Sequence, residues 1–523
     1  MLTSPPARGI GVLRARLVLT GVLLVLALVG LRLAWLTGQS LWYDEGFSLA
    51  LTNGPTLQEV MAQLSVAPGS ERYQPLYFLV LFSWRSAIGD SEIALRLLSV
   101  LLGAAAVVIL VSAAWRAYGR HHALWTALIG TTSALAVSYS QEVRPYSLLL
   151  LVAAAQLWSF LELVCEEHGR RSWVARGAFW VSCGIGFASG ILLAPFTAAL
   201  FLTDLLVRRN PRAAVGLWWP VAVLALPAIV FYGSGLLAQE SGAISSATGS
   251  LLQNGLFVIY GLLVGTTYGP PLEELHGQNQ VRVLLDYWPS LMLLAVVAGT
   301  LVVLVLRGFK IGPETTGARR ADRIVGLLLV FGFALGVAFA AASGLNWLPR
   351  HSIYLLAPLV LLLPATLRYG REPGRGDRIA VGAARLSLLA LVALNLYSLG
   401  HYFLEPRYAR DDYRGAAAFI SRQADPSTSS VLLWGQPELL AYYGARATID
   451  GRELDQSRID DEIWRVTAGS PRVVVAVNRD FYWDPEGIEA LDRVMARRYR
   501  LVDMESYPYF AIHTFEARPS PTP

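Results

Sequence analysis

Charged residues are scarce in this sequence. They make up 15% of the 523 residues, against about 25% in an average soluble domain. Hydrophobic residues account for 54%, and long runs contain no ionised group. The net charge of +5 comes from arginines that lie mainly in short connections between those runs. Because this pattern is typical of membrane topology, the sequence argues against nucleic acid as a partner and predicts an integral membrane protein.

Cysteine is almost absent as well. The two cysteines, Cys165 and Cys183, lie in or beside apolar runs, where a small buried hydrophobe is the expected role. The tail from His401 onward contains none, which excludes a disulfide framework or a cysteine-based zinc site there. The sequence also has no internal repeat, no glycine-rich nucleotide loop and no strong metal-ligand spacing. These absences direct attention to the connections between the apolar runs.

Eleven apolar runs are predicted to cross a bilayer, which needs about 20 residues each. The first is long for a signal-peptide core and lacks a small-residue cleavage site, so we predict a retained span. The eleven runs are 16–36, 93–115, 123–139, 146–165, 173–190, 191–207, 214–233, 286–307, 324–342, 352–368 and 380–400. Two further apolar runs, 74–89 and 251–266, are predicted to lie at the membrane interface. The run 74–89 would span only about 24 Å as a helix, short of the roughly 30 Å hydrocarbon core.

Charge bias predicts the orientation of these spans. With 74–89 left out of the count, the arginine-rich connections fall on the same side as the N-terminus, as cytoplasmic segments should. The segments predicted outside are then 37–92, 140–145, 234–285, 343–351 and the tail. In the tail the apolar runs 431–434, 472–477 and 509–515 alternate with the helical stretches 413–423 and 485–497. We therefore predict a multi-pass helical domain, 1–400, followed by an extracytoplasmic α/β domain, 401–523.

Three of the outer connections contain residues that could carry chemistry. The first opens with Trp42, Tyr43, Asp44 and Glu45, directly after the first span. A plain alternative is a pair of acids at a helix N-terminus with interfacial aromatics. In the tail, Asp411 and Asp412 precede a helical stretch and are predicted to cap it.

The second connection, 140–145, contains Glu142 and Arg144, and the third, 343–351, ends at Arg350 and His351. The plain alternatives here are a satisfied Glu–Arg pair and a structural histidine. Carboxylates and arginines in one outer pocket suit an enzyme that activates a hydroxyl and stabilises a leaving phosphate. Ion-coupled transporters usually need ionisable groups near the middle of their spans, and few are present in these runs.

Four strings of the first 150 residues resemble a known family. They are LWYDEGFS from residue 41, QPLYFLVLFSW from 74, GDSEIALRLLSVLLG from 89 and YSQEVRPYSLLLL from 139. Together, in this order and spacing, they resemble the membrane glycosyltransferases of the GT-C fold. The branch they resemble most contains the bacterial lipid A aminoarabinose transferases and the dolichyl-phosphate-mannose protein O-mannosyltransferases. The strings RHSIYLLAP from 350 and YRGAAAFI from 413 extend the resemblance loosely to the tail.

The resemblance implies a function. Members of this family take a sugar from a polyprenyl-phosphate carrier and pass it to an acceptor on the extracytoplasmic face. For this chain it implies the cytoplasmic membrane of a bacterium, with membrane lipids and a glycan, lipid or protein acceptor as partners. The reaction would be inverting, with Asp44 as general base and Glu45 positioning the loop, the acceptor or a cation.

The resemblance also assigns binding roles. Glu142 matches an acid that contributes to substrate or metal binding in relatives, and Arg144 and Arg350 would neutralise the carrier phosphate. The remaining substrate-binding residues would be Tyr43, Tyr73, Gln74, Tyr146 and His351. Relatives often have His or Lys where this chain has Gln74, so an arginine or a divalent metal ion would have to neutralise the phosphate.

Three rival functions remain open at this point. A flippase or transporter of lipid-linked sugars would place functional charges along a path through the membrane. A non-enzymatic anchor with a partner-binding tail would make Asp44 and Glu45 replaceable. An O-antigen ligase or polymerase usually has its large outer loop between late spans, not at the terminus.

Overall fold

The computed structural model describes residues 7–67, 70–165, 172–208, 211–238, 250–271, 274–275, 280–310, 317–368, 375–425, 427–455, 458–478 and 485–518. These residues form two compact units. The helical unit comprises Met1–Leu36 and Pro55–Phe403, and the α/β unit comprises Thr37–Gly54 and Leu404–Pro523. Residues 37–54 thus group with the C-terminal part of the chain. The functional division at 400/401 stays a prediction.

The helical unit consists of apolar helices. Its first ten are α1 Ala7–Leu33, α3 Leu57–Val66, α4 Pro75–Ile88, α5 Glu92–Tyr118, α6 Arg120–Thr132, α7 Ala134–Ser140, α8 Tyr146–Cys165, α9 Ser172–Ser189, α10 Ala194–Arg208 and α11 Pro211–Ala238, with α2 Tyr43–Leu51 belonging to the α/β unit. They are followed by α12 Leu251–Val264, α13 Gln280–Asp286, α14 Trp288–Lys310, α15 Gly317–Ser343, α16 Leu356–Leu362 and α17 Arg375–Leu404. Short 3-10 turns extend α10 and α16 at Ile191–Leu193, Pro349–Leu355 and Leu363–Leu367.

Within the described residues, eight segments are long and apolar enough to cross a membrane. They are Glu92–Tyr118, Tyr146–Cys165, Ile191–Arg208, Arg212–Gly233, Trp288–Phe309, Gly317–Ser343, Pro349–Leu367 and Arg378–Leu404. Each coincides with a predicted span, and the chain is a multi-pass membrane protein. The predicted run 123–139 is interrupted at Ser133, whose hydroxyl accepts a hydrogen bond from the Ala136 N–H and caps α7. The total of eleven spans stays a prediction.

Large apolar side chains cover the outside of the helical unit. Leu226 and Val230 on α11, and Val296 and Val303 on α14, are each more than half exposed. In water such a surface would lower solubility and stability, whereas lipid tails cover it at no such cost. The exposed apolar faces therefore match the bilayer that the sequence predicts.

Helix α4 has one buried and one exposed face. Tyr77, Phe78 and Leu81 are fully buried, a spacing that repeats with the helical turn, while Ser83 and Ser86 are exposed. This confirms the predicted amphipathic helix in 74–89. Its place at the membrane interface stays a prediction, as does that of 251–266, which contains α12.

Buried polar contacts hold the connection 140–145 against the end of α1. Gln141 donates its Nε2 hydrogens to the carbonyls of Arg32 at 2.9 Å and Ala34 at 2.8 Å, which satisfies helix-terminal acceptors. Arg32 is fully buried and donates to the carbonyl of Leu28 at 3.2 Å. The connection that carries Glu142 and Arg144 is thereby fixed to the helical unit.

The α/β unit contains a five-stranded sheet in the order β2-β1-β3-β5-β4. The strands are β1 Ser429–Trp434, β2 Ile449–Asp450, β3 Arg472–Asn478, β4 Tyr499–Tyr507 and β5 Phe510–Ala517, and the helices are α18 Tyr413–Gln423, α19 Pro437–Tyr442, α20 Ile459–Thr467 and α21 Pro485–Met495. Strand β1 pairs in parallel with β2 and β3, while β5 pairs antiparallel with β3 and β4. This confirms the predicted α/β fold of the tail.

The sheet is covered on both faces. Val475 packs in one apolar cluster with Ile463 of α20 and Met495 of α21. On the opposite face, Phe510 of β5 meets the Tyr413 ring of α18 edge-on, with centroids 4.7 Å apart. Alternate residues of a strand point to opposite faces. Since both faces of β1 and β3 are buried, the strands contain the continuous apolar runs 431–434 and 473–477.

Candidate functional site

The Asp44–Glu45 pair lies in the first turn of α2. The Glu45 carboxylate accepts a hydrogen bond from the Trp42 N–H at 3.1 Å, which satisfies a donor at the helix start. Glu45 is fully buried, whereas Asp44 is only half-buried. Successive residues of a helix point about 100° apart. The two acids therefore do different work: Glu45 fixes the helix start, and Asp44 keeps access to the surroundings.

Tyr43 is a buried residue of the α/β unit, with 4% of its surface exposed. Its N–H donates to the Asp411 carboxylate at 3.1 Å, and its ring meets Phe47 edge-on at 5.2 Å. Asp412 accepts from the Gly415 N–H at 2.9 Å and caps α18, which confirms the predicted cap for that residue. Asp411 binds α2 as well. The sugar-stacking role of Tyr43 stays a prediction.

A second cluster lies in the helical unit around Arg144. Its guanidinium forms an ion pair with Glu71 at 2.6 Å, with 3% and 11% of the two side chains exposed. Arg144 also lies over the Tyr146 ring, 6.0 Å from its centroid, and Tyr146 meets the Tyr139 ring edge-on at 4.9 Å. Sequence reasoning missed Glu71. It is the one acid between Glu59 and Asp90, and that isolation was the available signal.

The turn that contains Glu71 also contains Tyr73 and leads to Gln74. The Gln74 N–H donates to the Glu71 carbonyl at 3.0 Å, and both Tyr73 and Gln74 are buried. Burial raises the pKa of the Tyr73 hydroxyl, so it stays protonated at neutral pH. Gly190 comes against this turn, since a Cβ there would lie 2.9 Å from Gln74 Cγ and 3.1 Å from the Tyr73 carbonyl oxygen. The predicted residues 73 and 74 thus belong to the cluster of Arg144.

The third predicted group, Arg350 and His351, begins the 3-10 turn Pro349–Leu355, which packs against α8. The Leu348 N–H donates to His351 Nδ1 at 3.3 Å, so the remaining ring hydrogen lies on Nε2. This bond supports the plain alternative of a structural histidine. Arg350 is half-buried on the turn next to the helix that starts at Tyr146.

Glu142 is buried, with 2% of its surface exposed. In the part of the chain that the structure describes, no group of three or more His, Cys, Asp or Glu side chains could hold a metal ion. The described residues therefore do not form a divalent-cation site by themselves. The substrate and metal roles of Glu142 stay predictions.

Comparisons with known proteins agree on one architecture. Residues 74–232 match the family model of dolichyl-phosphate-mannose-protein mannosyltransferases. Among solved structures, the chain is similar to ArnT from Cupriavidus metallidurans in the apo state, at 12% identity and a TM-score of 0.59 over 96% of this chain and 98% of that one. It is also similar to the same protein bound to undecaprenyl phosphate, at 13% identity and a TM-score of 0.57 with the same coverage. No curated protein sequence matches the chain.

Proposed function

We propose that this chain, a membrane protein with the GT-C fold, is a glycosyltransferase that uses a polyprenyl-phosphate-linked sugar as its donor. The acceptor is a glycan, a lipid or a protein on the extracytoplasmic face of a bacterial cytoplasmic membrane. The undecaprenyl phosphate bound to ArnT supports the donor class. One contrast carries the proposal. The Glu45 carboxylate is hydrogen-bonded to the backbone at the start of α2, whereas the neighbouring Asp44 is only half-buried.

Asp44 is the general base of this reaction. Its carboxylate takes the proton of the acceptor hydroxyl, and the oxygen attacks the anomeric carbon of the sugar. The bond between that carbon and the carrier phosphate breaks on the opposite side, so the anomeric configuration inverts. A base within hydrogen-bond reach of the attacking hydroxyl is the first requirement of such a step. The free energy comes from the carrier bond, which agrees with the lack of a nucleotide loop in the sequence.

Arginines stabilise the departing phosphate. Arg144 carries five N–H donors, and its ion pair with Glu71 holds the guanidinium in one orientation. Fixed cationic donors at a developing negative charge are usually the largest single contribution to such catalysis. Arg350, on the neighbouring turn, is the second candidate for this role.

The experiment compares wild type with Asp44→Asn in lipid nanodiscs. A panel of polyprenyl-phosphate sugars is offered with a crude envelope fraction, and released polyprenyl phosphate is measured by mass spectrometry. Asp90→Asn is the matched control, because Asp90 is exposed and pairs with Arg85. We expect release by wild type and the control, and a loss of about 100-fold or more in Asp44→Asn, as for removal of a positioned base.

Equal release by wild type and Asp44→Asn would remove Asp44 from the mechanism. The alternative is a transporter of lipid-linked sugars. It would be favoured over a glycosyltransferase if no donor released polyprenyl phosphate and vesicles that contain the protein flipped lipid-linked sugars.

A further inference from the structure

We propose that the C-terminal part of the α/β unit positions the catalytic helix α2, with Asp411 and Leu439 as positioning residues. This inference rests on the proposed function, because it assumes that Asp44 acts from α2. The tail thereby acquires a role, although no sequence motif in the tail indicates a function.

Hydrogen bonds fasten the backbone at the entry to α2 to the C-terminal part of the α/β unit. The Leu41 N–H donates to the Tyr443 hydroxyl at 2.8 Å, and the Tyr43 N–H donates to the Asp411 carboxylate at 3.1 Å. The Ser40 hydroxyl donates to the Asp411 carbonyl at 2.7 Å. The Tyr413 N–H in turn donates to the Ser40 hydroxyl at 3.0 Å. Three of these bonds are buried, so losing one would leave a buried polar group without a partner, and together the four bonds fix the backbone just before Asp44.

Side-chain contacts add to this hold. The Arg410 guanidinium lies over the Trp42 ring, 4.2 Å from its centroid, a favourable cation–π distance. Arg452 lies close to the Tyr43 side chain and donates from Nε to the Asp450 carboxylate at 2.9 Å. Trp42 and Tyr43, the two residues directly before Asp44, are therefore each held by an arginine of the C-terminal part.

Helix α2 packs at the edge of the sheet where the carboxyl ends of β1 and β3 lie. The chain runs from β1 to β2 on one side and then returns to β3 on the other side of β1, so the strand order reverses between β1 and β3. Open α/β sheets bind ligands outside the carboxyl ends of the strands at such a point. Gln436 follows β1, and its N–H donates to the Tyr413 hydroxyl at 2.9 Å. Asn478, the last residue of β3, is fully buried at the same edge. In other open α/β sheets this edge binds a ligand. In this protein, residues 40–46 pack against it instead.

Gly46 shows how closely α2 approaches this edge. A Cβ at position 46 would lie 2.9 Å from Leu439 Cγ, 3.0 Å from Leu439 Cδ1 and 3.1 Å from Gln436 Cγ. Leu439 is fully buried on α19, so even one added methyl group must displace α2 or α19. Gly46 is two residues from Asp44, so such a displacement moves the proposed base.

The test uses full-length protein in nanodiscs with Gly46→Ala, Leu439→Ala and the double variant. Gly400→Ala is the matched control, because a Cβ at that helical glycine meets no atom within 4 Å. The readouts are kcat and KM for carrier release, and hydrogen exchange of the amides in Tyr43–Leu51. A misplacement near 1 Å can lower a rate about 100-fold.

We expect Gly46→Ala to lower kcat by about 10- to 100-fold at an unchanged donor KM, and to speed exchange in α2. The double variant lacks both Leu439 contacts and keeps only the 3.1 Å approach to Gln436 Cγ, so it regains part of the activity and protection relative to Gly46→Ala. Wild-type kcat and exchange in Gly46→Ala, or no recovery in the double variant, would overturn the proposal. If wild type releases no carrier, the proposed function fails, and the exchange data alone decide whether the tail holds α2.

Discussion

The ion pair between Arg144 and Glu71 yields a quantitative prediction. Arg144 Nη2 lies 2.6 Å from Glu71 Oε1, and the side chains of Arg144 and Glu71 are 3% and 11% exposed. Removing one partner of a buried pair costs about 3–5 kcal/mol, because the other charge stays buried without compensation. Glu71→Gln keeps the shape and one acceptor, so we expect a loss of about 3 kcal/mol, at the low end of that range.

The assay is unfolding by SDS in mixed micelles, followed by tryptophan fluorescence. Asp90→Asn is the control, since the Arg85–Asp90 pair has the same 2.6 Å distance but Asp90 is 57% exposed. An exposed pair contributes about 0–1 kcal/mol, so the control should unfold close to wild type. The double variant Glu71→Gln, Arg144→Gln should be more stable than Glu71→Gln alone, because it removes the uncompensated charge.

Polyprenyl phosphate links this pair to the proposed reaction. A ligand that binds only the folded protein raises its free energy of unfolding, by an amount that grows with the logarithm of the ligand's affinity. If Arg144 binds the carrier phosphate, the carrier should stabilise Glu71→Gln more than wild type, because the phosphate replaces the missing negative charge. Equal losses in Glu71→Gln and Asp90→Asn would refute the structural part of this reasoning. Equal stabilisation by the carrier would refute the role of Arg144.

Two further predictions concern glycine packing and alkaline pH. Gly190→Ala should weaken donor binding, because its methyl group would displace Gln74 and the Tyr73 carbonyl. The measurement is the donor KM for carrier release, which should rise; an unchanged KM would show that the turn 71–74 does not contact the donor. Burial raises the pKa of Tyr413 well above its ordinary value, so the folded state keeps a proton that the unfolded state loses above about pH 10. Stability should therefore fall as the pH rises above about 10, with a smaller slope in Tyr413→Phe, and equal slopes in alkaline unfolding would contradict the assignment.

Periodicity and composition predicted the elements that contain a continuous apolar run. The strands β1 and β3 are buried on both faces and were visible as apolar runs, and α18 begins at Tyr413, where the prediction placed it. Strand β4 was missed because most of its residues are exposed, so it has no hydrophobic run. The break at Ser133 was missed because a serine in an apolar run changes the hydropathy little, although its hydroxyl can cap a new helix.

The candidate site was predictable only where the residues lie together in the chain. The strings around Asp44 and Arg144 carry their own signal in sequence. Apart from the isolation of Glu71 between distant acids, Glu71 and Asp411 carry no such signal, because their importance depends on partners 73 and 368 residues away. Such pairs depend on the folded chain, and no local pattern distinguishes them from ordinary surface acids.

The separation between Ser40 and Asp411 also has a consequence for synthesis. The two residues are 371 positions apart, which at about 5–20 residues per second corresponds to about 20–75 s of translation. During that interval the segment 37–54 has emerged, but the strands and helices that fasten it do not yet exist. In the nascent protein, the segment 37–54 with the proposed base Asp44 therefore lacks its contacts with the tail until the last quarter of the chain is made and folded. If the tail positions Asp44 as proposed, completion of the tail, rather than insertion of the spans, is the step that makes the protein active.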